Sequence, residues 1–212
     1  MGEHVNKILS VMESDPAFAI VGKAADELGV EAYVVGGFVR DIFLDRPSKD
    51  LDFVCVGSGI ALAEQVARSL KGKSNLSIFK NFGTAQVKWG EYELEFVGAR
   101  KESSRTASRK PIVEDGTLQD DQNRRDFTIN AMAICLKKKR FGELVDPFNG
   151  IEDLRKKTIR TPLDPDITFS DDPLRIMRGI RFAAQLGFDI APDTMEGITR
   201  NAHRLEIVSM ER

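Results

Sequence analysis

The sequence predicts an α/β fold with a mixed sheet of the α+β type over residues 1–150, followed by a helical segment over residues 151–212. Three observations support this prediction. Short apolar runs typical of strands alternate with helical patterns in the first part, whereas only helical patterns remain after about residue 151. The composition is that of a globular protein, with 42% hydrophobic and 30% charged residues in a chain of 212.

Each element of the first part has a local signal. Helical spacing covers residues 4–12 and 16–28, and the second helix has Pro16 near its start and Gly29 at its stop. Gly90 marks a tight turn between two strands. By the same criteria, helices are predicted over residues 36–45 and 59–72, and strands over residues 31–35, 50–56, 76–80, 84–89 and 92–99.

The rest of the chain contains a polar stretch and then helices. Residues 101–123 are polar and include Pro111 and Gly116, so we expect a mobile loop there. Residues 124–136 begin polar and become apolar, which predicts that a helix or strand enters the core. Ser209 resembles the N-cap of another helix, so we expect further helical domains beyond it. A short strand and turn are predicted over residues 142–150, and helices over residues 151–157, 171–187 and 192–203.

Composition and charge argue against several classes of protein. No apolar run approaches the ~20 residues of a membrane span, and the N-terminus lacks the apolar core of a signal peptide, so we expect a cytoplasmic protein without membrane contact. The net charge of −2 argues against a uniformly basic nucleic-acid binder. His4 and His203 are too isolated for a zinc site or a Ser/His triad. Any catalysis must therefore use carboxylates, arginines and a bound metal.

Two carboxylates mark the start of the strand predicted over residues 50–56. Asp50 and Asp52 point to the same face of a strand because side chains alternate with a period of two, so their charges repel. A divalent cation would offset this repulsion, and Mg²⁺ is usually bound by one or two carboxylates together with substrate phosphates. The alternative is a solvated strand entrance in which Lys49 neutralises one of the acids.

The preceding turn favours the metal interpretation. Gly36 and Gly37 join a strand directly to a helix, and glycines let phosphate oxygens approach the backbone and the positive end of the helix. Arg40 lies about one turn into this helix and can contact the same anion. A GGxVRD pattern followed by DxD is far more specific than either motif alone.

The motifs "GGFVRD" and "DLD" resemble the signature of the nucleotidyltransferase superfamily that includes DNA polymerase β. Their particular form is similar to the bacterial-type (class II) tRNA nucleotidyltransferases, the CCA-adding enzymes and their poly(A) polymerase relatives. "RRDFTINAMA" at residues 124–133 and "DDPLRIMRGIRFAAQLGF" at residues 171–188 match two further motifs of this family in the same order. The resemblance covers roughly residues 31–212. It implies a polymerase β-like nucleotidyltransferase head over residues 1–150 and a helical neck over residues 151–212.

The resemblance also implies roles for individual residues. Asp50 and Asp52 would bind catalytic Mg²⁺ ions, and Glu95 would be a third carboxylate, although Glu93 points to the same face of a regular strand. The alternative for Glu95 is a solvent-facing strand residue. The triphosphate of the incoming nucleotide would be bound by Gly36, Gly37, Arg40 and Arg125.

Two arginines of the second motif have a simpler interpretation as well. Arg124 or Arg125 could form an ion pair with Asp126 and have no further role.

If Arg125 binds the triphosphate instead, the roles of these residues imply the reaction. A terminal RNA 3′-hydroxyl attacks the α-phosphate and pyrophosphate leaves, and metal ions and positioning do most of the work in such transfers. Histidine is not needed for this chemistry.

Selection of the base is assigned to the helix of the third motif. Asp172 and Arg175 are spaced i, i+3 and would project from one helical face. A carboxylate accepts from the exocyclic amine of C or A and a guanidinium donates to ring acceptors, whereas U and G present the reverse pattern. The resemblance extends this role to Arg178 and Arg181, although the family usually has Glu where this chain has Asp171. The alternative is an amphipathic helix with an arginine stripe.

The expected function is therefore template-independent transfer of CMP, AMP or both from CTP and ATP to the 3′ end of tRNA, with Mg²⁺ as cofactor and pyrophosphate as product. Poly(A) polymerase activity is a near alternative because its motifs are shared. A nucleotide- or RNA-binding module without catalysis is a second, against which the intact pair Asp50 and Asp52 argues. A nucleotidyltransferase acting on a small molecule is a third, against which the third motif argues.

Overall fold

The computed structural model describes residues 2–103 and 112–207. Ser209, the helix predicted to begin there, and Pro111 lie outside the described residues. Within them, the predicted fold class is confirmed: a seven-stranded mixed sheet is combined with many helices. No helix in these ranges has the length and apolar character required to cross a membrane.

Most helices and strands lie close to their predicted positions. The α-helices of the described residues are α1 (Gly2–Ser14), α2 (Pro16–Leu28), α3 (Gly37–Phe43), α4 (Gly59–Ser69), α5 (Leu118–Asn123), α6 (Gly150–Arg155), α7 (Pro165–Asp171), α8 (Leu174–Leu186) and α9 (Pro192–Asn201). The strands are β1 (Glu31–Val35), β2 (Asp50–Val56), β3 (Asn75–Phe79), β4 (Thr84–Trp89), β5 (Tyr92–Gly98), β6 (Arg100–Ser103), β7 (Ile112–Asp115), β8 (Ala133–Cys135), β9 (Leu144–Val145), β10 (Thr158–Ile159) and β11 (Asp189–Ile190). Short 3₁₀ turns cover Lys80–Phe82, Thr128–Asn130, Lys138–Arg140 and Ala202–Ile207.

The large sheet has the strand order β3-β4-β5-β2-β1-β8-β9. β2 and β5 are parallel, and the other neighbouring pairs in this sheet are antiparallel. β6 and β7 form a separate antiparallel ribbon, and β10 and β11 form a short parallel pair that the sequence pattern does not predict. Because β2 and β5 run in the same direction, their N-terminal ends lie at the same edge of the sheet.

One face of the large sheet is covered by helices and holds the main core. Leu51, Phe53, Leu94 and Phe96 point to this face and are fully buried, and the rings of Phe53 and Phe96 stack with centroids 5.2 Å apart. Complete burial of such a side chain contributes about 1.5–3 kcal/mol. A slip of one residue would bury the charged neighbours instead, so the core fixes the register of β2 against β5.

The mobile loop predicted over residues 101–123 is wrong at both ends. Strands β6 and β7 pair there, and α5 follows immediately. The Thr117 hydroxyl accepts from the Asp120 N–H while the Asp120 carboxylate accepts from the Thr117 N–H, which is a capping box. This local signal outweighs the polar composition. Residues 104–111, the middle of the predicted loop, lie outside the described residues.

The single helix predicted over residues 171–187 is also wrong at its start. α7 ends at Asp171 and α8 begins at Leu174, and Asp172 between them has an extended backbone with φ −145° and ψ 101°. The physical reason is Pro173, because the ring of a proline disfavours the helical conformation of the residue before it. The break changes the orientation of Asp172 relative to the rest of the motif.

α8 packs against the segment that follows α5. The rings of Phe127 and Phe182 meet edge to face with centroids 6.1 Å apart. Gly179 allows this approach, since a Cβ there would lie 2.9 Å from Cζ of Phe127. The contact brings α8 next to the segment that supplies Arg125.

Candidate active site

The predicted acidic residues meet on the face of the large sheet opposite the main core, called the open face here, beside a smaller buried cluster that includes Val35 and Val54. Asp52 on β2 is the register partner of Glu95 on β5, and Asp50 is the partner of Glu93. All four point to this face because they alternate with the buried residues of β2 and β5, and the surrounding cleft partly desolvates Asp52 and Glu95. Neighbouring strands lie about 4.8 Å apart, so Asp52 and Glu95 are adjacent on one face.

The partners of the two glutamates favour Glu95 as the third carboxylate. Glu93 pairs with Lys88 on β4, with 2.7 Å between Oε1 and Nζ. Glu95 lines a cleft together with Asp52 and forms no ion pair within residues 2–103 and 112–207. Its carboxylate is therefore available to a cation.

Lys49 does not neutralise the aspartates, contrary to the solvated-entrance alternative. Its Nζ donates to Oη of Tyr92 at 3.1 Å and lies 4.4 Å from the centroid of that ring. The carboxylate nearest to it in an ion pair is that of Asp15, at 3.9 Å. The repulsion between Asp50 and Asp52 therefore has to be offset by another charge.

The turn between β1 and α3 comes close to the carboxylates. Gly36 has φ 73° and ψ −136°, a backbone conformation that residues other than glycine rarely adopt. A Cβ placed on it would lie 3.4 Å from Nη1 of Arg125 and 3.5 Å from Oδ2 of Asp52. A Cβ on Gly37 would meet Nη2 of Arg40 at 3.4 Å. The backbone of this turn therefore lies close to two guanidinium groups and to the carboxylate of Asp52.

We expect Gly36→Ala to weaken ATP binding more strongly than its effect on stability explains. The substitution strains the backbone by about 1–3 kcal/mol and fills the space between Asp52 and Arg125. The matched control is Gly29→Ala, because Gly29 also has a positive φ of 70° and a Cβ there would meet nothing within 4 Å. Calorimetric titration with ATP and thermal unfolding compare the variants. Equal ATP affinity in both would show that the space at Gly36 is not used.

A buried aspartate orients the two arginines of the second motif. Oδ1 of Asp121 accepts from Nε and Nη2 of Arg124 at 3.0 and 2.5 Å, and Oδ2 accepts from Nε and Nη2 of Arg125 at 3.0 and 2.8 Å. Pairing of either arginine with Asp126 is therefore wrong, since Asp126 accepts from Arg178 instead. The sequence motifs do not single out Asp121, although its i, i+3 and i, i+4 spacing to the two arginines is typical of ion pairs on a helix.

We expect Asp121→Ala to destabilise the fold by about 2 kcal/mol, because hydrogen bonds to charged groups contribute about 1.5–3 kcal/mol. It should also raise the KM for ATP, since Arg125 loses the contact that holds it beside Asp52. The control is Asp120→Asn, which touches the cap of α5 but neither arginine. Urea unfolding and steady-state kinetics measure the two effects. An unchanged KM with lost stability would reduce Asp121 to a structural role.

The arginines and carboxylates border an open cleft of about 190 Å³. Its lining combines groups that bind anions with groups that bind cations, as a metal-bound triphosphate requires. The lining residues are Val35, Asp52, Phe53, Glu95, Val97, Arg124 and Arg125.

The surroundings of Asp52 and Glu95 raise the pKa of both carboxyl groups. Burial raises the pKa of Asp52, the guanidinium of Arg125 partly opposes this, and Asp50 raises the pKa further. Burial raises the pKa of Glu95 as well, and the charge of Asp52 adds to it. Both carboxyl groups are therefore harder to ionise than usual until a cation is present.

The donor set fits Mg²⁺ but does not form a complete cage. Within the described residues, no group of three or more His, Cys, Asp or Glu side chains is arranged to hold a metal alone. Mg²⁺ does not need such a group, because it keeps waters and is bound by one or two carboxylates plus substrate phosphates. Asp52 and Glu95, adjacent in register, would offer such carboxylates beside the Gly36 turn, with Asp50 two residues before Asp52 on the same strand.

Arg40 is fixed by neighbours on both sides. Its Nε and Nη2 donate to the Asp41 carboxylate at 2.9 and 3.1 Å, and its Nη1 donates to Oδ1 of Asn130 at 2.9 Å. Asn130 donates to Oδ1 of Asp126 at 3.1 Å, and Oδ2 of Asp126 accepts from Nε of Arg178 at 2.7 Å. A continuous chain of hydrogen bonds therefore links α3 to α8, which the sequence did not predict.

Phe182 brings three arginines of α3 and α8 together. The guanidinium carbons of Arg40, Arg178 and Arg181 lie 5.3, 5.3 and 5.2 Å from the centroid of its ring. The spacing of Arg178 and Arg181 thus does place both on the side of α8 that faces α3. The sequence motifs do not single out Phe182 as a residue of the site.

Asp172 and Arg175 do not project from one helical face as predicted, because Asp172 precedes α8. Its Oδ1 accepts from the Leu174 N–H, the first of α8, at 3.0 Å, while Pro173 occupies the N-cap position. Nη1 of Arg175 donates to the Thr168 carbonyl at 3.1 Å. The two residues still meet at the start of α8, where the Arg175 N–H donates to the Asp172 carbonyl at 3.1 Å.

The mixed sheet and the matching family together define a polymerase β-like nucleotidyltransferase head. The chain belongs to the family described as the poly A polymerase head domain, which matches residues 32–160. A second family, described as a probable RNA and SrmB-binding site of polymerase A, matches residues 187–212.

Similar proteins include tRNA nucleotidyltransferases of two kinds. The A-adding tRNA nucleotidyltransferase of Aquifex aeolicus is 45% identical over 165 residues, which cover 78% of this chain and 20% of that protein. The CCA-adding enzyme of Streptococcus uberis is 37% identical over 192 residues, which cover 90% of this chain and 45% of that enzyme. The chain therefore spans from a fifth to less than half of these relatives.

Similar solved structures include two complexes with nucleotides. A tRNA nucleotidyltransferase complexed with a primer tRNA and an incoming ATP analog has a TM-score of 0.76 and 41% identity, over 86% of this chain and 50% of that one. A CCA-adding enzyme with CTP has a TM-score of 0.82 and 34% identity, over 97% of this chain and 46% of that one.

Proposed function

We propose that this chain forms the catalytic part of a Mg²⁺-dependent RNA nucleotidyltransferase. It transfers CMP, AMP or both from CTP and ATP to the 3′ end of tRNA without a nucleic-acid template. The observation that carries the proposal is the meeting of Asp52, Glu95 and Arg125 at the Gly36 turn. Relatives named for A addition and for CCA addition support tRNA as the acceptor.

The chemistry assigned to the cleft uses two groups of residues. Mg²⁺, when bound by Asp50, Asp52 and Glu95, supplies charge that stabilises the attacking and leaving oxygens. The acceptor 3′-hydroxyl oxygen bonds to the α-phosphorus and its proton passes to water, the bond from the α-phosphorus to the oxygen that bridges the α- and β-phosphates breaks, and pyrophosphate leaves with that oxygen. The side chains and backbone that bind and orient the triphosphate are those of Gly36, Gly37, Arg40 and Arg125.

Base selection is assigned to the start of α8 and its arginine face. Among the hydrogen bonds of the described residues, Asp172 uses only Oδ1 of its carboxylate and Arg175 uses only Nη1 of its guanidinium. Oδ2 of Asp172 and the other N–H groups of Arg175 can therefore form hydrogen bonds with a base edge. Arg178 and Arg181 lie beside Arg40 around Phe182, which puts them within reach of the same nucleotide.

We assign residues 1–150 to the catalytic head and residues 151–212 to the helical neck. The large sheet ends at β9, and α6 to α9 follow it, which supports this division. The proposed activity on tRNA 3′ ends and the sequence together favour the cytoplasm as the compartment of this protein.

The test uses the complete gene product, tRNA lacking its last three nucleotides, Mg²⁺ and each labelled triphosphate in turn. Addition of CTP and then ATP that stops at CCA supports the proposal in its CCA form, and a single A added to tRNA ending in CC supports the A-adding form. Long tails made from ATP alone would identify a poly(A) polymerase, the second function that the matching family suggests. ATP binding without any incorporation would overturn the proposal in favour of a binding module.

A further inference from the structure

An exposed pair of aromatic rings lies at the outer edge of the large sheet. Phe79 ends the edge strand β3 and is 48% exposed, and Phe82 in the following 3₁₀ turn is 68% exposed. Neither ring belongs to the core clusters. Two large aromatic side chains this exposed within four residues are unusual for a soluble surface and indicate a binding role.

Phe79 continues the open face that carries the carboxylates, and Phe82 follows it in the turn that ends β3. Phe79 is the register partner of Thr84, and Thr84 is the partner of Val97, which lines the cleft. Residues in register share a face, so Phe79 lies on the cleft side, two strands or about 10 Å from Val97. One row further, Gln86 connects Glu95 to the exposed edge in the same way.

Basic groups surround the aromatic pair. Lys80, between the two rings in sequence, is exposed. Arg100 donates to the Phe82 carbonyl, and a Cβ on Gly83 would lie 3.4 Å from its Nη2. Along β4 and β5, Glu95 of the cleft is one row from Phe79, and Glu93, two rows away, pairs with Lys88. Stacking surfaces combined with cations suit a single-stranded nucleic acid, whose bases stack and whose phosphates carry negative charge.

We propose that Phe79 and Phe82 form a stacking platform for unpaired nucleotides of the RNA acceptor, just upstream of the reacting 3′ end. This inference rests on the proposed function, because it places the strand relative to the carboxylates. The RNA enters over β3 and β4, with its phosphates near Lys80 and Arg100, and its 3′-hydroxyl reaches the cleft at Asp52. The open face of the sheet is therefore an acceptor path as well as the support for the catalytic residues.

The test compares Phe79→Ala and Phe82→Ala with Ile78→Ala in the complete gene product. Ile78 is the matched control: it is 36% exposed on the same strand, but its partner Ala85 is buried, so its side chain points to the helix-covered face. We expect each Phe variant to raise the KM for the RNA acceptor about 5- to 100-fold and to leave the KM for ATP unchanged. Ile78→Ala should change neither. Phe82→Trp should retain RNA affinity and Phe82→Leu should lose it, because stacking needs a ring.

The outcomes separate this inference from the proposed function. If the wild type transfers nucleotides and both Phe variants have the same KM for RNA as the wild type, the platform is overturned and the proposed function stands. Lack of transfer by the wild type is a failure of the proposed function instead, and direct binding of a labelled CCA-less RNA by the variants then decides the platform. A concentration-dependent dimer of the wild type that Phe82→Ala abolishes, with RNA affinity unchanged, would assign the edge to a second copy of the chain and overturn the inference.

Discussion

Asp52→Asn is expected to reduce nucleotide transfer by at least about 10²–10³-fold, the effect of removing one electrostatic group that stabilises a transition state. Asp52 lies at the centre of the site, next to Glu95 in register and 3.5 Å from the position of a Cβ on Gly36. The amide keeps the size of the side chain but lacks the charge that holds a cation. The variant should therefore still bind RNA.

The same variant should be more stable than the wild type when metal is absent. The pKa of Asp52 is raised by burial and by Asp50, so the folded state binds more protons than the unfolded state between the ordinary pKa and the raised one. Stability of the wild type then falls as pH rises through this window. The stability advantage of Asp52→Asn should appear above the ordinary carboxyl pKa and vanish below it.

Thermal unfolding over a pH series, with and without Mg²⁺, measures this advantage. Mg²⁺ should stabilise the wild type but not Asp52→Asn, and the effect in the wild type should fade on acidification because protons compete for the carboxylates. The matched control is Glu93→Gln, which removes a charge from the same face but outside the cleft, at a cost of less than about 1 kcal/mol. If Glu93→Gln is as inactive as Asp52→Asn, the third carboxylate is assigned to the wrong glutamate.

Arg175→Ala and Asp172→Asn are expected to relax the choice of nucleotide. A site built to hydrogen-bond one base edge can reject the wrong one by about 10⁴–10⁵-fold, so loss of a partner should reduce kcat/KM for CTP and ATP and narrow their advantage over UTP and GTP. Asp172→Asn is informative because the amide oxygen can still accept from the Leu174 N–H, while the second carboxylate oxygen is replaced by a donor.

Competition assays with labelled CTP, ATP, UTP and GTP measure this discrimination. The control is Arg155→Ala, which removes an exposed arginine that pairs with Glu152 on α6. Unchanged discrimination in both Asp172→Asn and Arg175→Ala, with normal folding, would remove base selection from the start of α8.

The sequence was sufficient where the signals are local. Alternation of Asp50, Leu51 and Asp52 is enough to predict a strand with one charged face, and Gly36 and Gly37 predict a strand-to-helix turn. Asp52, Glu95 and Arg125 also lie close together as expected, because strand register makes Asp52 and Glu95 neighbours and all three residues line one cleft.

Contacts between distant segments could not be read from the chain. Asn130 meets Arg40 across ninety positions, and Phe182 collects arginines from two helices. Asp172 shows a different limit: its spacing to Arg175 suggested one helical face, but Pro173 between them breaks the helix. A periodic pattern reports which residues could share a face only while the backbone stays regular.

The most direct test of the account is the dependence of triphosphate binding on both metal and carboxylates. Calorimetric titration of ATP into the 212-residue chain with Mg²⁺ should show binding that becomes much weaker when the metal is chelated. In the double variant Asp50→Asn and Asp52→Asn, the ATP affinity should no longer depend on Mg²⁺. ATP affinity that is the same with and without Mg²⁺, and the same in the double variant, would contradict a metal-triphosphate site at this turn.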